Sequence, residues 1–200
     1  TTRAEVAAVL HRFLTYNYAD HQKVDDTNAV IVDIEKFTIG QGFVMEPTVV
    51  KLEEGDTVAT VLQRVAAEKG LELECQTTDK GFYLASLKDN GPQKAKVPQY
   101  LKDAIAAGGS TVGERAEKDW LGQFDYTSSS GWMVWVNHYE IPVSAGAWDV
   151  KAGDVIRWQF TLYGLGKDLG SGTNGDPFVT VGKKDALVHA MAVASKVQRE

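Results

Sequence analysis

The residue types that most often catalyse reactions or bind metal ions are few and scattered in this chain. The four histidines are far apart, and none lies in an HxH or HExxH spacing that would bring two imidazoles to one metal ion. Cys75 is the single cysteine, which excludes an internal disulfide and a thiolate cluster, and no GxSxG elbow presents a serine. A pair of catalytic carboxylates is compatible with the sequence, but the acidic residues fall mostly in turns and on predicted solvent faces. We therefore predict no catalytic residues and no metal centre, and favour binding over catalysis.

One loop rich in Gly, Asp and Asn follows Tyr163. Asp168, Asn174 and Asp176 in the stretch 164–178 have side chains that could ligate calcium, although their spacing is not that of an EF-hand and no Glu closes the loop. The stretch also lacks the GK[ST] of a phosphate loop. Calcium binding stays a secondary alternative here.

Tryptophan is concentrated in one part of the chain, because four of the five tryptophans lie within residues 131–163. Two explanations stay open: a large core, or an aromatic floor for a flat ligand. On the strand predicted at 132–137, one face carries Trp132 and two valines and suits a core. The other face carries Met133, Trp135 and Asn137, and it combines apolar area with an amide that can hydrogen-bond a ligand. We expect Trp135 to contact the ligand and the 126–130 loop to close over its edge.

The elements that would position these residues follow the order of a β-grasp unit. Alternation predicts strands within 28–39 and at 48–52, and a helix starting after a Thr57 N-cap ends at Gly70. Strands are predicted at 71–76 and 81–87, and a helix at 97–107 begins near Pro98. The alternation in 155–163 predicts a half-buried antiparallel strand with Trp158 on its core side. The predicted fold class is α+β: a β-grasp-like antiparallel or mixed sheet with one packed helix, plus peripheral N- and C-terminal helices.

Composition limits the partners. The net charge is −6 with no basic run, so nucleic acid is a poor partner, and no apolar stretch approaches the roughly 20 residues that span a bilayer. We expect no membrane insertion. The predicted organisation is a helix at 1–16, a linker at 17–27, the main domain at 28–166, and a Gly-rich loop with a C-terminal helix at 167–200.

The first 16 residues resemble the last helix of a surface-layer homology domain. The carriers of the resemblance are Thr2-Arg3-Ala4-Glu5, a capping box, and the apolar stripe that follows it. Such domains anchor exported bacterial proteins to cell-wall polysaccharide. The resemblance implies an extracellular, cell-surface location, with the polysaccharide bound by the part of that domain that is missing here.

Two longer stretches together resemble the C-terminal domain of transcobalamin and intrinsic factor and its bacterial cell-surface relatives. The first is 50–87, with Gly81, Tyr83 and Ser86 in a Gly-x-Tyr-x-x-Ser strand, and the second is the aromatic stretch 131–160. That family has a β-grasp-related fold, and its animal members cover one face of cobalamin. The implied ligand-binding residues are Tyr83, Tyr126, Ser130, Trp132, Trp135, Asn137 and Trp148. The animal carriers also use a large helical domain that this chain lacks.

The resulting expectation is a non-catalytic ligand-binding module of an exported, wall-anchored bacterial protein, with a corrinoid or similar flat macrocycle as its ligand. The alternative is a structural or adhesion module with glycan or protein contacts and no small-molecule ligand. For ligand binding, at least two of Trp132, Trp135, Trp148 and Tyr126 should line one concave patch.

Overall fold

The computed structural model describes residues 28–92, 94–117 and 119–171. The predicted helices at 1–16 and near 183–197 and the linker at 17–27 lie outside the described residues. The described helices and strands are Ala29–Glu35 (β1), Phe43–Lys51 (β2), Val58–Lys69 (α1), Leu73–Thr78 (β3), Gly81–Lys88 (β4), Gln99–Ala107 (α2), Trp120–Gly122 (β5), Gly131–Val136 (β6), Tyr139–Glu140 (β7) and Val155–Thr161 (β8). No helix among the described residues is long and apolar enough to cross a bilayer.

The strands form two sheets. The five-stranded sheet has the order β2-β1-β8-β6-β7, and the three-stranded sheet has the order β3-β4-β5. In the larger sheet β1 and β8 pair in parallel, while every other pairing is antiparallel. The fold is therefore α+β with a mixed sheet, as predicted from the sequence.

Local signals at both ends fix α1. The Thr57 side chain accepts a hydrogen bond from the Thr60 backbone N–H, and the Thr60 hydroxyl oxygen accepts one from the Thr57 backbone N–H, which makes a capping box. Gly70 ends the helix in the left-handed conformation, with φ of 68°, which glycine adopts without steric cost. The apolar side of α1 is buried in the core. The second helix, α2, begins one residue after Pro98.

The core lies on one face of the larger sheet. Ile34, Trp158 and Val134 are aligned across β1, β8 and β6, and Trp132 pairs with Phe160 in the next row. These side chains pack with α1, α2 and the smaller sheet in one cluster. The prediction that Trp158 belongs to the core is confirmed, since 3% of it is exposed.

Three features differ from the sequence expectation. The strand β8 is central rather than half-buried, since it lies between β1 and β6, and Gln159 and Thr161 on its second face are also buried. The short strands β5 and β7 were not predicted, because two or three residues are too few to show a period. The strand β2 begins at Phe43, ahead of Pro47, which an edge strand tolerates.

Candidate functional site

A cleft of about 180 Å³ opens between β4, β6 and the segment that follows β7. It lies on the core side of the larger sheet, where Val134 and Trp158 are paired across β6 and β8. We refer to it as the Trp158 cleft. Its lining is Phe82, Tyr83, Leu84, Trp132, Met133, Val134, Glu140, Ile141, Val143, Ser144, Ala145 and Trp158.

Two tryptophans in this lining have different hydrogen-bonding states. The Trp132 indole Nε1 donates to the Leu121 carbonyl at 3.0 Å. The Trp158 indole Nε1 is buried and has no hydrogen-bond partner among the residues that the structure describes. Leaving a buried donor unpaired costs about 1–3 kcal/mol, and a buried indole N–H usually has a partner. The Trp158 N–H is therefore an unpaired donor buried within the core, although other parts of the Trp158 side chain line the cleft.

The rim of the cleft is held by contacts within the protein. The Phe82 backbone N–H donates to Ser144 Oγ at 2.7 Å, which ties β4 to the 144–147 turn. The Tyr83 hydroxyl donates to Gln123 Oε1 at 2.9 Å, and burial raises the pKa of Tyr83. The Phe82 ring meets the Trp158 indole edge-to-face, with ring centroids 6.3 Å apart. The cleft is thus preformed, as small-molecule sites usually are.

The structure brings two of the seven sequence-predicted site residues to this cleft, Tyr83 and Trp132. Tyr126 and Ser130 are buried in the loop before β6. There the Ser130 hydroxyl accepts from the backbone N–H groups of Tyr126 and Thr127, at 3.3 Å each, and donates to the Thr127 carbonyl. This serine serves the conformation of its own loop.

The remaining three predicted residues lie away from the cleft. Trp135 is on the opposite face of β6, 2% exposed, beside Gly166 of the loop after β8. Asn137 is exposed and joins its turn to β8, since its Nδ2 donates to Asp154 Oδ1 at 2.7 Å and its Oδ1 accepts from Val155 N–H at 2.9 Å. Trp148 is half-buried, and its carbonyl accepts from the Val58 N–H at the start of α1.

At this cleft, the positions of these residues differ from the strand face that the sequence favoured. The face carrying Trp135 was expected to hold the ligand, and the face carrying Trp132 to be core. Trp132 and Val134 line the cleft together with Met133, while Trp135 lies beside Gly166 of the 164–171 loop. Of the four aromatic residues named in the concave-patch criterion, Trp132 is the one that lines the Trp158 cleft, so the criterion is not met at this cleft. Sequence reasoning missed Phe82 and the 140–145 segment, and the alternation that marked Trp158 as core could not show its unpaired N–H.

The second face of the larger sheet carries a charged cluster. Arg157 Nη2 lies 2.6 Å from Glu35 Oε1, and its Nε lies 4.0 Å from Asp33 Oδ2. Burial, reinforced by the neighbouring Glu35 and opposed by Arg157, raises the pKa of Asp33 to about 8. Burial also raises the pKa of Glu35, although the charge and the hydrogen bond of Arg157 lower it in part. His138 Nδ1 lies 3.3 Å from Arg157 Nη1, and burial with the Arg157 charge lowers the pKa of His138.

A second buried ionic group joins three segments. Asp89 Oδ1 lies 2.5 Å from Lys36 Nζ, and its Oδ2 lies 2.8 Å from Arg115 Nη1, with all three side chains buried. Burial opposes ionisation of Asp89, but the hydrogen bonds and charges of Lys36 and Arg115 hold its pKa below the ordinary value. This group fixes the end of β1 against the loops after β4 and before β5.

No group of three or more His, Cys, Asp or Glu side chains suited to a metal ion exists among the described residues. In the Gly-rich loop, Asp168 is already used by the protein: it accepts from the Thr161 hydroxyl and, at 2.8 Å, from the Leu162 N–H. Burial raises its pKa to about 6 despite those donors. Asn174 and Asp176, the other two residues considered for calcium, lie outside the described residues.

Comparisons with known proteins give little guidance. No protein-family model matches the chain, and no curated protein matches it. A solved structure from Ruminococcus gnavus, described as a "putative metal binding protein", is similar over 68% of this chain and 99% of its own, with 9% sequence identity and a TM-score of 0.34. A similarity this weak supports no argument about fold or function.

Proposed function

We propose that this domain is a non-catalytic ligand-binding module of an exported, wall-anchored bacterial protein, and that the Trp158 cleft holds part of the ligand. The observation that carries the proposal is the cleft itself, which is lined mainly by aromatic and aliphatic side chains. Small-molecule sites are typically apolar clefts that contain a small number of polar groups pointing toward the ligand. The cell-surface location rests on the sequence resemblances alone.

The size of the cleft limits how a corrinoid would bind. Sites that bury most of a drug-sized ligand usually have about 300–1,000 Å³, whereas this cleft has about 180 Å³. A corrinoid or similar macrocycle would therefore place one peripheral group in the cleft and leave the ring outside. Such a complex is weak unless a second domain covers the other face.

A structural or adhesion module is the second candidate. It is favoured by the internal roles of Ser130 and Asn137 and by the burial of Trp135 and Tyr126, four residues that were expected at a ligand site. In that case the unpaired Trp158 N–H is a local cost of packing.

A thermal-shift experiment separates the two candidates. The protein is melted with cobinamide, cobalamin and haem, alongside the variant Val134→Phe, whose ring fills the cleft. A ligand at 100 times its Kd adds about 2.7 kcal/mol of stability, and the proposal predicts this gain for the wild type and its loss in the variant. Absence of any stabilisation by all three compounds would favour the structural module.

A further inference from the structure

We propose that the part of the ligand that enters the Trp158 cleft is a compact apolar group, about the size of one benzene ring, whose inserted end carries no hydrogen-bonding atom. This inference rests on the proposed function and specifies the chemistry of its ligand. It concerns only the group inside the cleft and is independent of whether the rest of the ligand is a macrocycle.

The two hydroxyl groups in the lining already bind other parts of the protein. The Ser144 hydroxyl accepts from the Phe82 N–H at 2.7 Å and from the Gly146 N–H at 3.3 Å, and it donates to the Phe82 carbonyl at 3.3 Å. One donated and two accepted hydrogen bonds are the full capacity of a hydroxyl. The Tyr83 hydroxyl donates its proton to Gln123 Oε1 at 2.9 Å. Neither hydroxyl therefore has a proton left for a ligand.

The remaining polar side chains of the lining are also engaged or out of reach. The Trp132 indole N–H donates to the Leu121 carbonyl at 3.0 Å, and the Glu140 carboxylate accepts from the Ser171 hydroxyl at 2.9 Å. The Trp158 indole nitrogen is buried, so a group in the cleft does not reach it. A polar group that enters the cleft thus gives up its hydrogen bonds to water and finds no side-chain donor to replace them, which disfavours its binding. An apolar group loses nothing of this kind.

The volume and the lining set the size and shape of the group. A dry apolar cavity of about 150 Å³ accommodates benzene in another protein, and this cleft has about 180 Å³. Phe82, Trp158 and Met133 supply ring and thioether surfaces, which contact aromatic groups favourably. Val143 also lines the cleft and is 48% exposed, so the opening is apolar as well. One ring therefore fits inside, while the rest of a larger ligand lies at the opening.

The test compares p-cresol with hydroquinone, two single rings that differ at one end. Either compound can leave a hydroxyl in water at the opening, but p-cresol then inserts a methyl group, whereas hydroquinone must insert its second hydroxyl. Dissociation constants are measured by NMR titration of the backbone amides of β4 and β6. We expect p-cresol to bind at least about 5-fold more tightly, since an inserted hydroxyl loses its hydration without a partner. In Val134→Phe, whose ring fills the cleft, the p-cresol shifts in β4 and β6 should disappear. The matched control Val49→Phe, on the edge strand β2 at the other side of the larger sheet, should keep them.

The outcomes distinguish the two proposals. Hydroquinone binding as tightly as p-cresol would overturn the apolar inference and leave the cleft as a binding site. Shifts from p-cresol that persist in Val134→Phe would place the ring outside the cleft and also overturn the inference. Failure of both compounds to bind would overturn this inference and the binding function together. If Val134→Phe does not fold, the relative affinities of the two compounds for the wild type and the location of their shifts still decide.

Discussion

Replacing Asp89 by Asn should strongly destabilise the fold, because this carboxylate is the single anion between two buried cations. Its oxygens lie 2.5 Å from Lys36 Nζ and 2.8 Å from Arg115 Nη1, and the Arg115 side chain is fully buried. Asn keeps the shape but removes the charge, and its NH₂ group would face one of the cations.

The magnitude follows from the cost of leaving a buried charge without its partner, about 3–5 kcal/mol. Burial already lowers the pKa of Lys36, and the hydrogen bond and charge of Asp89 oppose this decrease. Lys36 can therefore lose its proton in the variant, which favours the lower end of the range. For a domain of this size the loss corresponds to a melting temperature lower by about 10–15 °C.

The assay is equilibrium urea unfolding followed by tryptophan fluorescence. Asp103→Asn is the matched control, because Asp103 is exposed on α2 and its carboxylate accepts a hydrogen bond from Gln99 Nε2 at 2.8 Å, on the same helix. This substitution should change the stability by less than about 0.5 kcal/mol. Lys36→Met should cost less than Asp89→Asn, because it leaves a one-to-one pair of Asp89 and Arg115. A loss below about 1 kcal/mol for Asp89→Asn, or a larger loss for Lys36→Met, would refute the assignment of Asp89 as the central anion.

Two further predictions concern the second face of the larger sheet and its adjoining turn. The pKa of Asp33 is about 8 in the folded protein, against an ordinary value of 3.8. Between these two pH values the folded state keeps the carboxyl neutral, whereas the unfolded chain ionises it. The contribution of Asp33 to stability is therefore full below about pH 4 and is lost as the pH rises to 8. Asp33→Asn should therefore be more stable than the wild type by a few kcal/mol at pH 8, with the two urea midpoints converging near pH 4; parallel pH profiles would contradict this. His138 has a positive φ of 65° beside Asn137 in the β6–β7 turn, where Gly is preferred, so His138→Gly should raise the free energy of unfolding by about 0.5–1 kcal/mol. A loss in the same urea assay would mean that the His138 contact with Arg157 outweighs the strain.

The sequence predicted the elements whose signals are local. The helix α1 has its cap at Thr57 and its end at Gly70, and the alternation of β8 correctly put Trp158 in the core. The strand β5 pairs with β4, which lies more than 30 residues earlier in the chain, and such a distant partner leaves no periodic signal in the strand itself. The strand β7 pairs with the adjacent β6, but its two residues are too few to show a period.

The candidate site was harder to predict than the fold. A period of two shows that Trp132 and Trp135 point to opposite faces of β6, but not which face opens to a cleft. That depends on how the smaller sheet and the 144–147 turn meet the larger sheet. The unpaired state of the Trp158 N–H depends on the absence of an acceptor among its neighbours in space, which no single stretch of sequence records.

The most direct test of ligand binding in the Trp158 cleft is the indole N–H spectrum of the protein in the presence of cobinamide. The five tryptophans give separate indole resonances, and Trp158→Phe identifies the one in question. We predict that the indole resonances of Trp158 and Trp132 both shift on addition of the ligand, because both side chains line the cleft. An unchanged Trp158 resonance at saturating cobinamide, or a shift confined to Trp135 and Trp148, would contradict binding of this ligand in the cleft.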